Sequence, residues 1–144
     1  MYRSTKRFNG YSTAFRQWRA NHSHCQYIHG YSISFKVWFE GTLDDRNWVA
    51  DFGDFDDINQ WFRDVFDHTT VVAHDDPHMD MYELLEQKGL IKLVVVPHVG
   101  CERFAELVFD KLHEYVQSKT NRRVKVRQVE CFEDGTKNSA IVAR

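Results

Sequence analysis

Cys25 is preceded directly by His24 and followed four residues later by His29. A thiol acts as a base or nucleophile only as its thiolate, and neighbouring cations or dipoles favour that form. The plainer reading of Cys25 is a small residue filling a loop. Asp67 and His68 are a second candidate pair. An imidazole with its ordinary pKa of about 6.5 gains and loses protons near neutral pH, and a carboxylate beside it orients the ring and raises its basicity. Neighbours on a regular helix point in different directions, so these two cooperate only where a helix ends; a histidine there is also favoured by the helix dipole alone. His22 and His24 alternate, with His29 following. On an extended segment the first two project to one side, and zinc takes nitrogen or sulfur ligands, usually three from the protein when one position stays open. Loop histidines on the surface are the competing reading. Phe15, Arg16, Trp18 and Arg19 form a mixed run in which an indole could stack on a flat ring and guanidinium forks could hold phosphates, or in which the aromatics simply pack. His74, His78, His98 and His113 follow no ligand spacing.

The elements that must position these residues are read from periodicity. Residues 31–40 alternate, with Ile33, Phe35, Val37 and Phe39 on one face and Ser32, Ser34, Lys36, Trp38 and Glu40 on the other, which predicts a strand covered on one side. Arg7 to about Phe15 is a weaker strand. Asp54 is placed to cap a helix carrying Phe55, Ile58, Phe62, Val65 and Phe66. Met81, Leu84 and Leu85 suggest a short helix stopped at Gly89, followed by a short extended run at Leu93 to Val96. A second long helix begins near Glu102, with Phe104, Leu107, Val108, Leu112, Tyr115 and Val116 as its apolar stripe. Residues 123–132 and 139–143 are final strands around an Asp134-Gly135-Thr136 turn, and the alternation breaks between Val126 and Val129, the mark of a bulge that could re-aim Glu130. The order is ββααββ with an insertion between the helices. It predicts an α+β domain, with two helices on one face of a four-stranded antiparallel sheet.

Composition narrows the classes. A length of 144 residues is one ordinary domain, 1–144, with 42% apolar and 15% aromatic residues, far from a disordered composition. A net charge of −2 gives no broad basic surface for nucleic acid, and the basic run Arg122, Arg123, Lys125 and Arg127 reads as the wet face of a strand. No apolar run approaches the roughly 20 residues of a membrane helix, and Met1 to Arg7 lacks the apolar stretch of a signal peptide. Three cysteines make no paired framework, which points to a reduced, cytoplasmic protein.

Five segments in order resemble the 6-pyruvoyl-tetrahydropterin synthase/6-carboxytetrahydropterin synthase family. Cys25-Gln26-Tyr27-Ile28-His29-Gly30-Tyr31 is similar to its Cys-x-x-x-His-Gly-His segment, and Trp48 to Asp54 to the stretch leading into its first helix. Phe66-Asp67-His68 is similar to its Asp-His pair, Val99 to Ala105 to its second-helix start, and Val129-Glu130-Cys131 to its late-strand glutamate. The resemblance spans residues 13 to 142. It implies a tunnelling (T-) fold assembled as a homohexamer of two trimers, with sites at subunit interfaces. It implies a carbon–oxygen/carbon–carbon lyase of pterin metabolism acting on 7,8-dihydroneopterin triphosphate with loss of triphosphate. In that reading Cys25 moves a side-chain proton, Asp67 and His68 assist, and Glu130 holds the ring by accepting from its 2-amino group and ring N–H. Glu102 shares recognition, unless it is only a first-turn carboxylate stabilised by the helix dipole. The 6-carboxytetrahydropterin product, which feeds 7-deazaguanine and queuosine synthesis, is preferred over the pyruvoyl product. Alternatives are metal-free aldol cleavage or epimerisation of a pterin, and a non-catalytic pterin- or purine-binding protein. The family's zinc uses three histidines; here Phe15 and Tyr31 stand at two of those positions, leaving His29, with His24 as a substitute ligand.

Overall fold

The computed structural model describes every residue from Met1 to Arg144. Two long strands, β1 (Tyr2–Phe15) and β2 (His29–Gly41), form an antiparallel ribbon that β5 (Val124–Glu133) and β6 (Asn138–Ala143) extend on one side. Helices α1 (Asp56–Phe66) and α3 (Cys101–Lys119) pack on one face, α1 against β1 and α3 against β5 and β6. The ββααββ frame is therefore present. The four-stranded antiparallel sheet is a miscount, because the insertion between the helices adds two strands. β3 (Thr69–Ala73) and β4 (Leu93–Val96), joined through α2 (Met79–Gln87), run parallel to one another, and β3 pairs in parallel with the end of β1. The sheet order is β4-β3-β1-β2-β5-β6. β3 is only five residues of Thr, Val and Ala, too short for its periodicity to stand out.

Two irregularities decide which side chains face the helices. Along β1, Ser4, Lys6 and Phe8 share a face, but Tyr11, Thr13 and Phe15 occupy it farther on, because one extra residue enters the ladder between Phe8 and Tyr11. Gly10 takes the left-handed conformation that this bulge needs, with φ of +87°. On β5 the same happens at Arg127, where Trp38 pairs with Gln128 and Phe39 with Val126. Val124 and Val126 face the core before the bulge; Val129 and Cys131 face it afterwards.

The core is aromatic. Phe62 of α1 stacks on Phe8 at 4.3 Å and Tyr11 at 5.6 Å, and Phe35 and Phe66 close around it. Phe104 of α3 meets Phe66 edge-on, and Phe39, Phe52, Phe55 and Tyr115 form a second cluster at the far end. Asp54 does not cap α1. It ends a one-turn 3-10 helix, Phe52–Asp54, which Asp51 caps by accepting from the Gly53 amide at 3.0 Å. The Asp54 carboxylate instead meets Lys119 at 2.9 Å, and its carbonyl accepts from the Tyr115 hydroxyl, tying the start of α1 to the end of α3.

Arg16 leaves β1 as a fork, donating to both oxygens of Asp76 at 2.9 and 2.8 Å. The Asp76 side chain is 1% exposed. Burial alone would raise its pKa, but the Arg16 fork and the His78 amide outweigh it and hold the carboxyl below its usual range. Arg19 and Trp18 are likewise committed to Asp75, with the Arg19 guanidinium 4.1 Å over the Trp18 ring. This run therefore clamps the β3–α2 connection, with the Arg16 fork fully committed and Arg19 tied to Asp75 through one nitrogen. Asp76→Ala, which strands the Arg16 charge, is expected to destabilise the protein by about 3 kcal/mol in denaturant titrations. Because the folded pKa of Asp76 is depressed, its contribution is present above the unfolded value of about 3.9 and disappears as pH falls through the folded value. The variant should therefore lose its stability difference from the parent in acid.

Candidate active site

Cys25 lies in a 3-10 turn, His24–Gln26, between β1 and β2. Ser23 caps the turn by accepting from the Cys25 amide at 3.2 Å, and the Gln17 amide donates to the Cys25 carbonyl at 2.8 Å, so the thiol is held at the end of the ribbon. There it borders a cavity of about 240 Å³ whose walls include Phe15, Tyr31, Cys101, Glu102 and Glu133. α3 opens onto this cavity with its first turn. Gly100 precedes that turn with φ of +109°, and a side chain there would run into the Gln17 amide, a Cβ lying 2.2 Å from its nitrogen. A larger hollow of about 480 Å³, between the start of β1 and residues 43–53, contains neither cysteine nor histidine.

Of the carboxylates expected here, Glu102 lines the cavity and Glu130 does not. Strand alternation sets Glu130 beside buried Cys131, on the face away from the helices, where it accepts from Ser139 Oγ at 2.7 Å. Glu133 is the residue that sequence reading missed. It shares the parity of Val129 and Cys131, ends β5 on the helix face, and accepts from Cys101 Sγ at 3.7 Å and Asn138 Nδ2 at 3.4 Å. The signal was available: counting in steps of two from Val129, past the predicted bulge, reaches Glu133. Buried Cys131 has its thiol pKa pushed well up, first by the Cys101 thiol and then by burial.

Asp67 and His68 do sit where α1 ends, as cooperation requires. His68 adopts a left-handed φ of 57°, which turns its ring back to place Nδ1 3.1 Å from Asp67 Oδ1. The other anchor is β1: Asp67 accepts from the Ser12 amide at 3.1 Å, and the His68 amide donates to the Ser12 carbonyl at 2.6 Å. The Ser12 amide, helped by His68 and outweighing the opposing effect of burial, keeps the Asp67 carboxyl below its usual range. His68 is exposed and Asp67 half-buried, and neither lines the Cys25 cavity, so one chain does not bring all three residues together.

The histidines do not form the expected extended ladder, because His24 is in the 3-10 turn. Its ring lies 6.5 Å from that of His29, and no third histidine, cysteine or carboxylate joins them in a metal-sized group. His29 Nδ1 is 2.9 Å from the Tyr27 carbonyl. At the two remaining positions, Phe15 stacks on Tyr31 at 4.2 Å, and Phe15 has no donor atom. Burial, then the charges of Cys25, Glu133, Asp134 and Cys101, push the Tyr31 pKa up to about 12, which disfavours a phenolate ligand. These residues do not fit a three-histidine zinc centre.

Solved structures share this arrangement over the whole chain. An uncharacterized protein from Wolinella succinogenes superposes with a TM-score of 0.84 at 22% identity, covering 99% of this chain and 98% of that one. The 6-pyruvoyl tetrahydropterin synthase of Caenorhabditis elegans follows at 0.64 and 18%, covering 100% and 97%. That of Plasmodium vivax gives 0.61 and 15%, covering 100% and 99%. The likeness is one of fold, the α+β tunnelling fold. Residues 4–144 match the family model of 6-pyruvoyl tetrahydropterin synthase, and the chain belongs to that family. No curated protein matches it. No helix is long and apolar enough to cross a membrane.

The three cysteines should differ sharply toward alkylating agents. Cys25 and Cys101 are partly exposed at the cavity, whereas Cys131 is buried with a raised pKa. Iodoacetamide on the folded protein, read by peptide mass mapping, is expected to label Cys25 and Cys101 and to reach Cys131 only after denaturation.

Proposed function

We propose that this chain is a lyase acting on 7,8-dihydroneopterin triphosphate, which with water releases triphosphate and the two outer side-chain carbons as a two-carbon aldehyde, as a 6-carboxytetrahydropterin synthase does, toward 7-deazaguanine and queuosine. The observation that carries this reading is the cavity in which Cys25 faces Glu102 and Glu133 across a space bounded by aromatic rings. A pterin offers its 2-amino group and ring N–H side by side, and a carboxylate accepts both. Glu133 is placed for that contact inside the cavity; Glu130, the sequence-based choice, is on the other face of the sheet. Cys25 would take the proton from the side-chain carbon next to the ring, the electron pair passing into the ring's C=N bond, whose nitrogen is protonated in turn.

Asp67 and His68 enter the same site if a second copy supplies them, which agrees with a homohexamer whose sites lie between subunits. The outer edge of β6 and most of the outer edge of β1 are unpaired within the chain and available for that assembly. Cytoplasmic localisation follows from the same reading, since the substrate and reduced thiols belong there. The Phe15–Tyr31 stack favours a second reading, metal-free aldol cleavage or epimerisation of the pterin side chain on the same scaffold.

Mass spectrometry of products from 7,8-dihydroneopterin triphosphate separates these readings. A carboxy- or pyruvoyl-tetrahydropterin with free triphosphate supports the first, and a hydroxymethyl or epimerised pterin supports the second. Unchanged substrate sinks both. Cys25→Ala is expected to lower turnover by at least about 100-fold without loss of pterin binding. Glu133→Gln should weaken pterin binding about tenfold or more, with an unchanged unfolding midpoint, while Glu130→Gln leaves binding near the parent value; the reverse pattern would return the anchor to Glu130.

A further inference from the structure

Phe15, Tyr31 and His29 form one continuous stack at the mouth of the β1–β2 ribbon. Phe15 lies opposite His29 in the register, and Tyr31 follows two residues later on the same face. Tyr31 is 4.2 Å from the Phe15 ring, at 17° between planes, and 4.3 Å from the His29 ring, at 38°. Phe104 of α3 presses on Phe15 edge-on at 5.0 Å. Phe15 and Tyr31 are 2% and 8% exposed, so the phenol ring has almost no freedom to swing.

The Tyr31 hydroxyl is the one polar end of the Phe15–Tyr31 pair. No side-chain nitrogen or oxygen in this protein is buried without a partner. The hydroxyl makes no side-chain hydrogen bond within the chain and is therefore reached by solvent, and Tyr31 lines the cavity together with Cys25 and Glu133. The resemblance places two metal-ligand histidines at these same two positions. One has become an inert ring, and the other a ring with a single neutral donor.

We propose that Tyr31 is a catalytic hydrogen-bond donor that binds the side-chain oxygen of the pterin where the family's metal would otherwise stand. This inference rests on the pterin reading above. Its ligand class is a pterin with a hydroxyl- or carbonyl-bearing side chain at the ring carbon next to the C=N bond. A fixed donor aimed at an oxygen on which negative charge develops acts most strongly where water is excluded and where it need not reorient during the reaction. The stack supplies the second condition, because Phe15, itself backed by Phe104, and His29 both pack against the phenol ring and hold it in place. Because Phe15 provides no donor atom and Tyr31 provides a single hydroxyl, oxygen polarisation passes from coordination to a hydrogen bond.

The variant is Tyr31→Phe, which preserves the ring and the stack. It is expected to keep the unfolding midpoint and to lower kcat by about 100- to 1,000-fold with little change in KM, while the parent protein keeps its activity after dialysis against a strong chelator. Turnover at the parent rate in Tyr31→Phe, or loss of parent activity to chelator with recovery on adding zinc, overturns the proposal. A binding measurement keeps the question decidable without turnover. The parent should bind neopterin more tightly than 6-methylpterin, and Tyr31→Phe should erase that preference, a change of about three- to tenfold. A preference that survives in the variant overturns the role of Tyr31 alone. Pterin binding without turnover in the parent sinks the lyase reading, with this comparison still decisive. Failure to bind either pterin removes both. The double substitution Phe15→His with Tyr31→His restores three imidazoles and should acquire stoichiometric zinc by elemental analysis; stoichiometric zinc already in the parent counts against the proposal.

Discussion

Strand parity is the constraint on which this structure depends. In a sheet with helices on one face, every residue of a strand is committed to core or surface by its odd or even position, and a slip of one residue exchanges the two. An unbroken β1 that buried Phe8 would turn Phe15 away from the helices. The bulge at Gly10 moves Tyr11, Thr13 and Phe15 onto the core face. An unbroken β5 that buried Val124 and Val126 would send Glu133 to the wrong side, and the extra residue at Arg127 brings it back. Two single-residue insertions, on strands that flank β2, thus deliver both walls of the cavity to the same face. Sheet curvature follows from the same bulges, which sharpen local twist.

Once the face is chosen, polar ties fix the ends of the elements. Arg16 and Asp76 lock the β3–α2 connection against the end of β1, and Asp67 and His68 lock the end of α1 onto Ser12, just past the first bulge. Thr13, buried on that face, donates to the Thr69 carbonyl, while the Thr69 hydroxyl donates to the Val65 carbonyl, so the turn from α1 into β3 is bonded to β1 as well. Charged groups that look like ligand-binding candidates in the sequence are therefore partly consumed in holding loops. Arg16 shows this most clearly: removed from its context it is a phosphate fork, but in the fold both of its arms are spent on one buried carboxylate. The depressed pKa of Asp76 is the electrostatic counterpart of that commitment.

Much of this was legible in the sequence, and the failures have identifiable causes. The alternation of Ile33, Phe35, Val37 and Phe39 and the helical stripe of Ile58, Phe62 and Phe66 are strong periodic signals, and both elements are where the pattern places them. Even the break between Val126 and Val129 marks a real bulge. The parallel strands β3 and β4 were not legible as sheet members, because four or five residues cannot establish a period and parallel pairing is a long-range property. Asp54 has the residue type of a cap, but whether it caps depends on the 3-10 turn before it, set by Asp51 and Gly53. For the site, Cys25 and Glu102 meet at one cavity as the sequence suggested. Glu130 was chosen on a three-residue similarity, whereas strand parity puts Glu133 and not Glu130 at that cavity. The placement of Asp67 and His68 away from the Cys25 cavity was not legible, since the distance between the end of a helix and a turn far earlier in the chain is a long-range property of the fold.

Phe15 and Tyr31, standing where the resemblance puts imidazoles, also bear on what holds the site together. A metal bound only in the folded state adds its binding free energy to folding, and a site built that way is ordered only when loaded. A stacked aromatic pair contributes about 0.5–1.5 kcal/mol beyond the area it buries, far less than a coordination sphere, but it is present whenever the chain is folded. Phe15 and Tyr31 belong to the same aromatic cluster as Phe104 and Phe66, which continues through Phe62 to Phe8. The wall of the cavity is thus an extension of the hydrophobic core, and its geometry is set by the packing that stabilises the fold. In this chain the position of the Tyr31 ring at the cavity it shares with Cys25 and Glu133 therefore comes from folding itself, with no separate ordering step at the site.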